Sequence, residues 1–275
     1  RPGGAFHRSP VPASANATLE DLRVIFALFL AQEQWGGYQE HIRHHGDALL
    51  RLAVGPDATL RSFYDMDARQ RAGELALGHA DLGALALLSA WDSAWSPVYE
   101  NALALLKGGQ ISQDFPLYYP AYDYREGAYT GRVIHMAEGI GTLLHLARAG
   151  ELPKNCAAYI KALLRSGKIE AAYTVEGLVP QGYAYESTAV YALCVELGLA
   201  LGDEEMARLA LELMEKLRVF SQKSPLNGSY SQALSTDIYA LDPLMALTAW
   251  QSLSQSGLLG AGEALSLVPQ GPASP

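Results

Sequence analysis

The stretch Asn16-Ala-Thr-Leu-Glu-Asp-Leu-Arg-Val-Ile-Phe-Ala-Leu-Phe-Leu-Ala-Gln-Glu-Gln-Trp-Gly36 decides the reading of this chain. Thr18 followed three residues later by a carboxylate reads as a helix start and predicts Asp21 in the first turn, where the positive end of the helix dipole favours a negative charge. An acid in that position can stay ionised while largely buried. The residues that follow are mostly apolar, and Gly36 closes the segment. By itself the pattern also fits an Asp that only decorates a helix N-terminus.

Outward from this segment the helical spacing repeats. Apolar residues recur every three or four positions over about 38–53, 74–90, 95–107, 133–149, 154–166, 186–201, 203–219 and 239–256, and β-branched runs are scarce. Gly and Pro clusters at Gly55-Pro56, Gly108-Gly109, Gly150 to Pro153 and Ser224 to Gly228 separate the segments. The pattern predicts a single all-α domain over 16–260. An irregular Pro/Gly/Ser-rich leading segment over 1–15 and a disordered tail over 261–275 flank it.

Composition narrows the class. A chain of 275 residues with 49% hydrophobic and 18% charged residues buries a sizeable core. A net charge of -9 without a basic stripe argues against nucleic acid as a partner and fits a neutral glycan. The two cysteines, Cys156 and Cys194, stand alone in apolar contexts without metal-ligand spacing and read as small core residues; spacing does not decide whether they pair. His41 and His45 have the i, i+4 spacing of a zinc pair, with His44 and Asp47 beside them, but no further ligand converges and a solvated helix face is the better reading. There is no Gly-x-Ser-x-Gly elbow and no phosphate-cradling glycine loop.

Four ordered motifs carry a resemblance. Asn16-Ala-Thr-x-x-Asp-Leu with its Ala/Leu-rich helix and Trp-Gly close is the first. Leu77-Gly-His-Ala-Asp-Leu-Gly-Ala-Leu-Ala-Leu-Leu88 is the second, and Trp91 with Trp95-Ser-Pro-Val-Tyr99 the third. Gln181-Gly-Tyr-Ala-Tyr-Glu-Ser-Thr-Ala-Val-Tyr-Ala-Leu193 before Gly202-Asp203 completes the set. Together they resemble glycoside hydrolase family 8, and most nearly its branch encoded beside bacterial exopolysaccharide synthases.

The resemblance implies an all-α (α/α)6 barrel, a six-hairpin toroid incomplete at its N-terminus, because the helices that precede the Asn16 segment in the family have no counterpart in 1–15. It implies an endo-acting, inverting hydrolase of a β-linked exopolysaccharide. Such an enzyme is extracellular or bound to the cell envelope, works without cofactor or metal, and has the synthase machinery as a partner. Inverting glycosidases hold their acid and base carboxyls roughly 6.5–9.5 Å apart.

By the resemblance, Asp21 lines the sugar site. The base aligns with Glu138 in Ile134-His-Met-Ala-Glu138 or with Asp123 in Tyr122-Asp-Tyr-Arg125, and Glu138 is favoured because a catalytic carboxylate needs a rigid mount. The family's general acid lies in a Ser-Glu-x-x-Gly-like motif that does not precede Asn16. The expectation is therefore a chain without its proton donor, or a silent glycan-binding protein of the same fold; Glu186 is the first carboxylate to test as a substitute. His79 and Asp81 match the substrate-facing turn, with a helix cap the other reading of Asp81. The aromatic stretch Gln113 to Tyr124 nominates Asp114, Tyr118 and Tyr119 for sugar contacts, or else as a lid on the core. Tyr185 and Glu186, at a helix start, are placed to bond sugar hydroxyls, or Glu186 is only an N-terminal charge.

Overall fold

The computed structural model describes residues 15–220, 223, 226–230 and 240–258. The expected leading segment and tail fall almost wholly outside them. Among the described residues are nine α-helices and seven strands of two or three residues. Their contacts cluster into two compact units, the first comprising Arg1–Ile134 with Gly141–Leu152 and the second His135–Ile140 with Pro153–Pro275.

In the first unit α1 (Thr18–Trp35) buries Leu22 and Ile25 completely. It is followed by α2 (Gln39–Ala53), the hairpin β1 (Tyr64–Asp65) with β2 (Gln70–Arg71), β3 (Glu74–Ala76), a 3-10 turn Leu77–His79, α3 (Leu82–Trp91) and α4 (Ser96–Gly108). Strands β4 (Ala121–Asp123) and β5 (Ala128–Thr130) complete a three-stranded antiparallel sheet in the order β3-β4-β5. In its register Leu75 faces Tyr122, and Tyr122 faces Tyr129. Helix α1 packs on α2 and α3, and α3 on α4.

Two predicted helices start later than their periodicity suggests. Residues 74–76 belong to β3, and 133–135 form β6 (Val133–His135), which leads into α5 (Met136–Arg148). Glu74 to Ala76 are claimed by cross-strand partners around 121–123, a long-range pairing that helical spacing alone does not reveal. Along β6 the burial alternates from half-buried to buried to exposed, which is strand rather than helix behaviour.

The second unit holds the first turns of α5, then α6 (Lys154–Arg165), β7 (Ala172–Thr174), α7 (Thr188–Leu201), α8 (Glu204–Lys216) and α9 (Leu241–Ser256). Every residue of α7 from Thr188 to Gly198 is buried, so it is the central helix, apolar on all sides, with α8 and α9 packed on it. Gly198 permits the α8 approach: a Cβ there would stand 2.6 Å from the backbone nitrogen of Ala207. Asp242 of α9, itself buried, accepts from Ala189 N at 2.9 Å and Ser187 Oγ at 3.2 Å and so serves the α7 N-terminus from another helix. Cys156 and Cys194 are both buried and are not joined in a disulfide, and burial pushes the Cys194 thiol far up.

Candidate functional site

The segment before α1 lies alongside residues 62–65. Asn16 N donates to Tyr64 O (3.2 Å), Tyr64 N donates to Asn16 Oδ1 (2.6 Å) and Thr18 N donates to Ser62 O (3.0 Å). The amide of Asn16 is thereby fixed, and its Nδ2 donates to Asp21 Oδ2 at 2.5 Å. Asp21 lies in the first turn of α1 and is only 7% exposed. A buried carboxylate is tolerable where a hydrogen-bond donor and the helix N-terminus both face it. Thr18 is not the cap that its spacing suggests. It is the first helical residue, and its hydroxyl donates to Arg61 O at 2.6 Å. Asn16 is the residue that the sequence reading passed over; its place at the start of the motif was the available signal.

Asp81 and His79 are both buried at the turn into α3, with Asp81 as its N-cap, accepting from Ala84 N at 3.1 Å. Helix α1 packs on this turn as well as on α3. His145 of α5 joins the group: its Nδ1 is 3.7 Å from Asp81 Oδ1 and its Nε2 is 3.3 Å from Gly78 O. Burial lowers the His145 pKa, and the charges of Arg148 and Arg23 add to this against the pull of Asp81. A neutral imidazole whose Nε2–H donates to Gly78 O is the form that fits. Sequence reasoning missed His145, because a lone His on an apolar helix carries no spacing signal.

One correction falls in the aromatic stretch. Tyr118 does not line a cleft: it is 2% exposed, and a Cβ on Gly109 would meet its ring at 3.4 Å, with Leu77 at 2.6 Å. Tyr119 is half-buried and stacks on Tyr129, the ring centroids 5.9 Å apart. The Tyr129 hydroxyl donates to Leu105 O and that of Tyr124 to Leu60 O, each at 2.8 Å, so these two phenols anchor the sheet to its surroundings. Asp114 is exposed. Asp123 ends β4 and accepts from the amides of Arg125 (2.7 Å) and Glu126 (3.0 Å), which hold its carboxyl below the ordinary range. Its carboxylate serves its own turn, a poor start for a base that must hold water.

In the second unit Ala171 ties two candidates together. Its N–H donates to Tyr185 O (2.8 Å) and its carbonyl accepts from Met136 N (2.9 Å), so the Tyr185-Glu186 segment lies beside the start of α5. Glu138 stands exposed in the first turn of α5. Tyr185 stacks on Tyr183 (6.5 Å between centroids), and Tyr183 meets His135 edge-on at 5.3 Å. Glu186 is half-buried and accepts from the Tyr191 hydroxyl. Among the described residues no group of three or more His, Cys, Asp or Glu could hold a metal, and His41 and His44 are exposed on α2.

No family model and no curated protein matches the sequence. Solved structures do match. An α-amylase from Clostridium perfringens shares 25% identity with a TM-score of 0.80, over 87% of this chain and 72% of that one. PssZ from Listeria monocytogenes aligns over 90% of this chain and 73% of its own, with 17% identity and a TM-score of 0.67. The endoglucanase Cel10 of Klebsiella pneumoniae, a family 8 glycosyl hydrolase, covers 92% of this chain and 79% of its own at 17% identity and a TM-score of 0.60. The all-α architecture, the order of the motifs and these likenesses agree: this chain has the (α/α)6-barrel fold of glycoside hydrolase family 8-like proteins.

Proposed function

We propose that the protein is an endo-acting glycoside hydrolase of a bacterial polysaccharide, with Asp21 at the cleavage subsite. The observation that carries this reading is the Asn16–Asp21 pair, a buried carboxylate held at the N-terminus of α1 where the family motif sets its sugar-lining Asp. A fixed anion of that kind can accept hydrogen bonds from sugar hydroxyls and stabilise positive charge developing on the ring. Glu138 is the proposed base, since it is exposed on a helix whereas Asp123 is held by its own turn. Glu186, half-buried, is the first carboxylate to test as the proton donor.

A β-linked exopolysaccharide is the substrate class that the motifs favour, with synthesis machinery as the partner and an extracellular or envelope location. The likeness to the Clostridium perfringens α-amylase, stronger in both identity and TM-score than that to Cel10, favours a second reading, an α-linked glucan. Reducing-sugar release from amylose, mixed-linkage β-glucan and a bacterial exopolysaccharide preparation separates the two. Cleavage of the β-linked polymers alone supports the first reading, and cleavage of amylose alone the second. Saturable glycan binding without cleavage of any polymer would replace hydrolysis with a silent binding role.

A further inference from the structure

Three arginines of this acid-rich chain gather at one cleft of the first unit. The cleft, about 390 Å³, is lined by Arg61, Arg71 and Arg125 together with Gly55, Gly73 and Tyr124. Among the described residues, none of the three guanidinium groups is ion-paired with a carboxylate. Arg71 donates to the carbonyl of Arg51, and Arg61 Nη1 donates to Gly73 O at 3.2 Å. The Arg61 guanidinium lies over the Tyr124 ring, its Cζ 3.8 Å from the centroid, and the Tyr124 hydroxyl is tethered to Leu60 O. The ring contact and the bond to Gly73 O hold the guanidinium in place before any ligand arrives.

The loop beneath the arginine is shaped for close approach. A Cβ on Gly55 would stand 2.6 Å from Thr59 Oγ1 and 3.3 Å from both Arg61 Nε and Nη2. Ala58 takes the left-handed conformation (φ 53°) that closes this turn, with Gly55 N donating to Thr59 O at 2.8 Å. Thr59 Oγ1 and Arg61 Nε are buried without a hydrogen-bond partner, an unmet demand within the same turn. Burial lowers the Arg61 pKa against the pull of the Tyr124 hydroxyl, and the charge of Arg71 adds to the lowering; the nearby acids are Asp57, which is exposed, and Asp123, whose carboxylate also accepts from its own turn.

We propose that this cleft binds a compact oxyanion, a phosphate or carboxylate group carried as a substituent on a saccharide. The planar fork of Arg61 supplies fixed donors, and Arg71 and Arg125 supply charge from the rim. The saccharide carrier rests on the glycan reading above, whereas the anion site stands on its own residues. It lies one residue along the chain from Ser62, whose carbonyl receives Thr18 N at the start of α1.

The test is calorimetric titration of the full chain at low ionic strength, first with inorganic phosphate, then with a trigalacturonate and a neutral cellotriose. Saturable phosphate binding is expected at one site, weakened at least about tenfold in the Arg71→Gln/Arg125→Gln double variant. Arg61→Lys, which keeps the charge but loses the fork, should weaken it as well, and Lys154→Gln, on the exposed start of α6, should leave it unchanged. Circular dichroism checks that each variant folds. Absence of saturable phosphate binding, or equal binding by the folded double variant, overturns the site. Displacement of phosphate by trigalacturonate but not by cellotriose identifies a sugar-borne anion; failure of both to displace it overturns the saccharide half of the proposal. Binding is read without turnover, so an inactive chain leaves the result interpretable.

Discussion

Replacing Asp21 by Asn keeps the volume of the side chain and removes its charge. In the folded protein the carboxylate accepts from Asn16 Nδ2 at 2.5 Å, is 7% exposed and faces the N-terminus of α1. Exchanging a charge-assisted hydrogen bond for a neutral one costs about 1 kcal/mol. Loss of the dipole interaction costs a further 0.3–1 kcal/mol or so. The sum, about 1–2 kcal/mol, lowers the midpoint of thermal unfolding by about 2–8 °C in a chain of this size. On whichever glucan the wild-type chain cleaves, Asp21→Asn should lower kcat/KM by at least about 10²-fold, the scale on which one fixed electrostatic partner of a transition state acts. Scanning calorimetry and reducing-sugar release measure the two effects. An unchanged or raised midpoint would show that the carboxylate is held at a net expense, and an unchanged rate would remove Asp21 from the cleavage site.

Three further outcomes are expected. Gly198→Ala places a methyl 2.6 Å from Ala207 N in the α7–α8 contact, and should lower stability by about 1–3 kcal/mol in urea unfolding. The folded-state pKa of His145 is lowered by burial, so as pH falls below about 6.5 the unfolded chain takes up a proton that the folded one refuses. Its contribution to stability is complete above that pH and diminishes below it, and comparison with His145→Gln over pH 5–8 should show the wild type losing more stability on acidification. Tyr185→Ala should weaken oligosaccharide binding by about 1 kcal/mol if its stack with Tyr183 forms a sugar platform; unchanged affinity returns the ring to a packing role.

Much of the candidate site was legible because local patterns carried it. The first-turn position of Asp21 and the capping role of Asp81 follow from residue type next to a helical period. Tyr118 was misplaced by the same logic: aromatic density marks either a sugar platform or a core cover, and only the approach of Gly109 and Leu77 distinguishes the two. His145, Asn16 and the arginine cleft depend on contacts between residues far apart in the chain or on side-chain direction, neither of which sequence spacing encodes.

The sequence by itself determined that the chain is helical and where most helices lie, since a three-to-four-residue apolar period can bury a stripe only as a helix. It also determined the order of motifs that resembles the glycosidase family. Tertiary structure decided the rest. It turned residues 74–76 into a strand, because partners distant in the chain claimed their backbone groups, and made 133–135 a strand as well. It turned the Thr18 hydroxyl to Arg61 O instead of the helix start, paired Asn16 with Asp21, engaged Asp123 in its own turn and left Glu138 exposed. Period specifies which face of an element seeks burial; which group meets it there is settled only when the distant segments have come together.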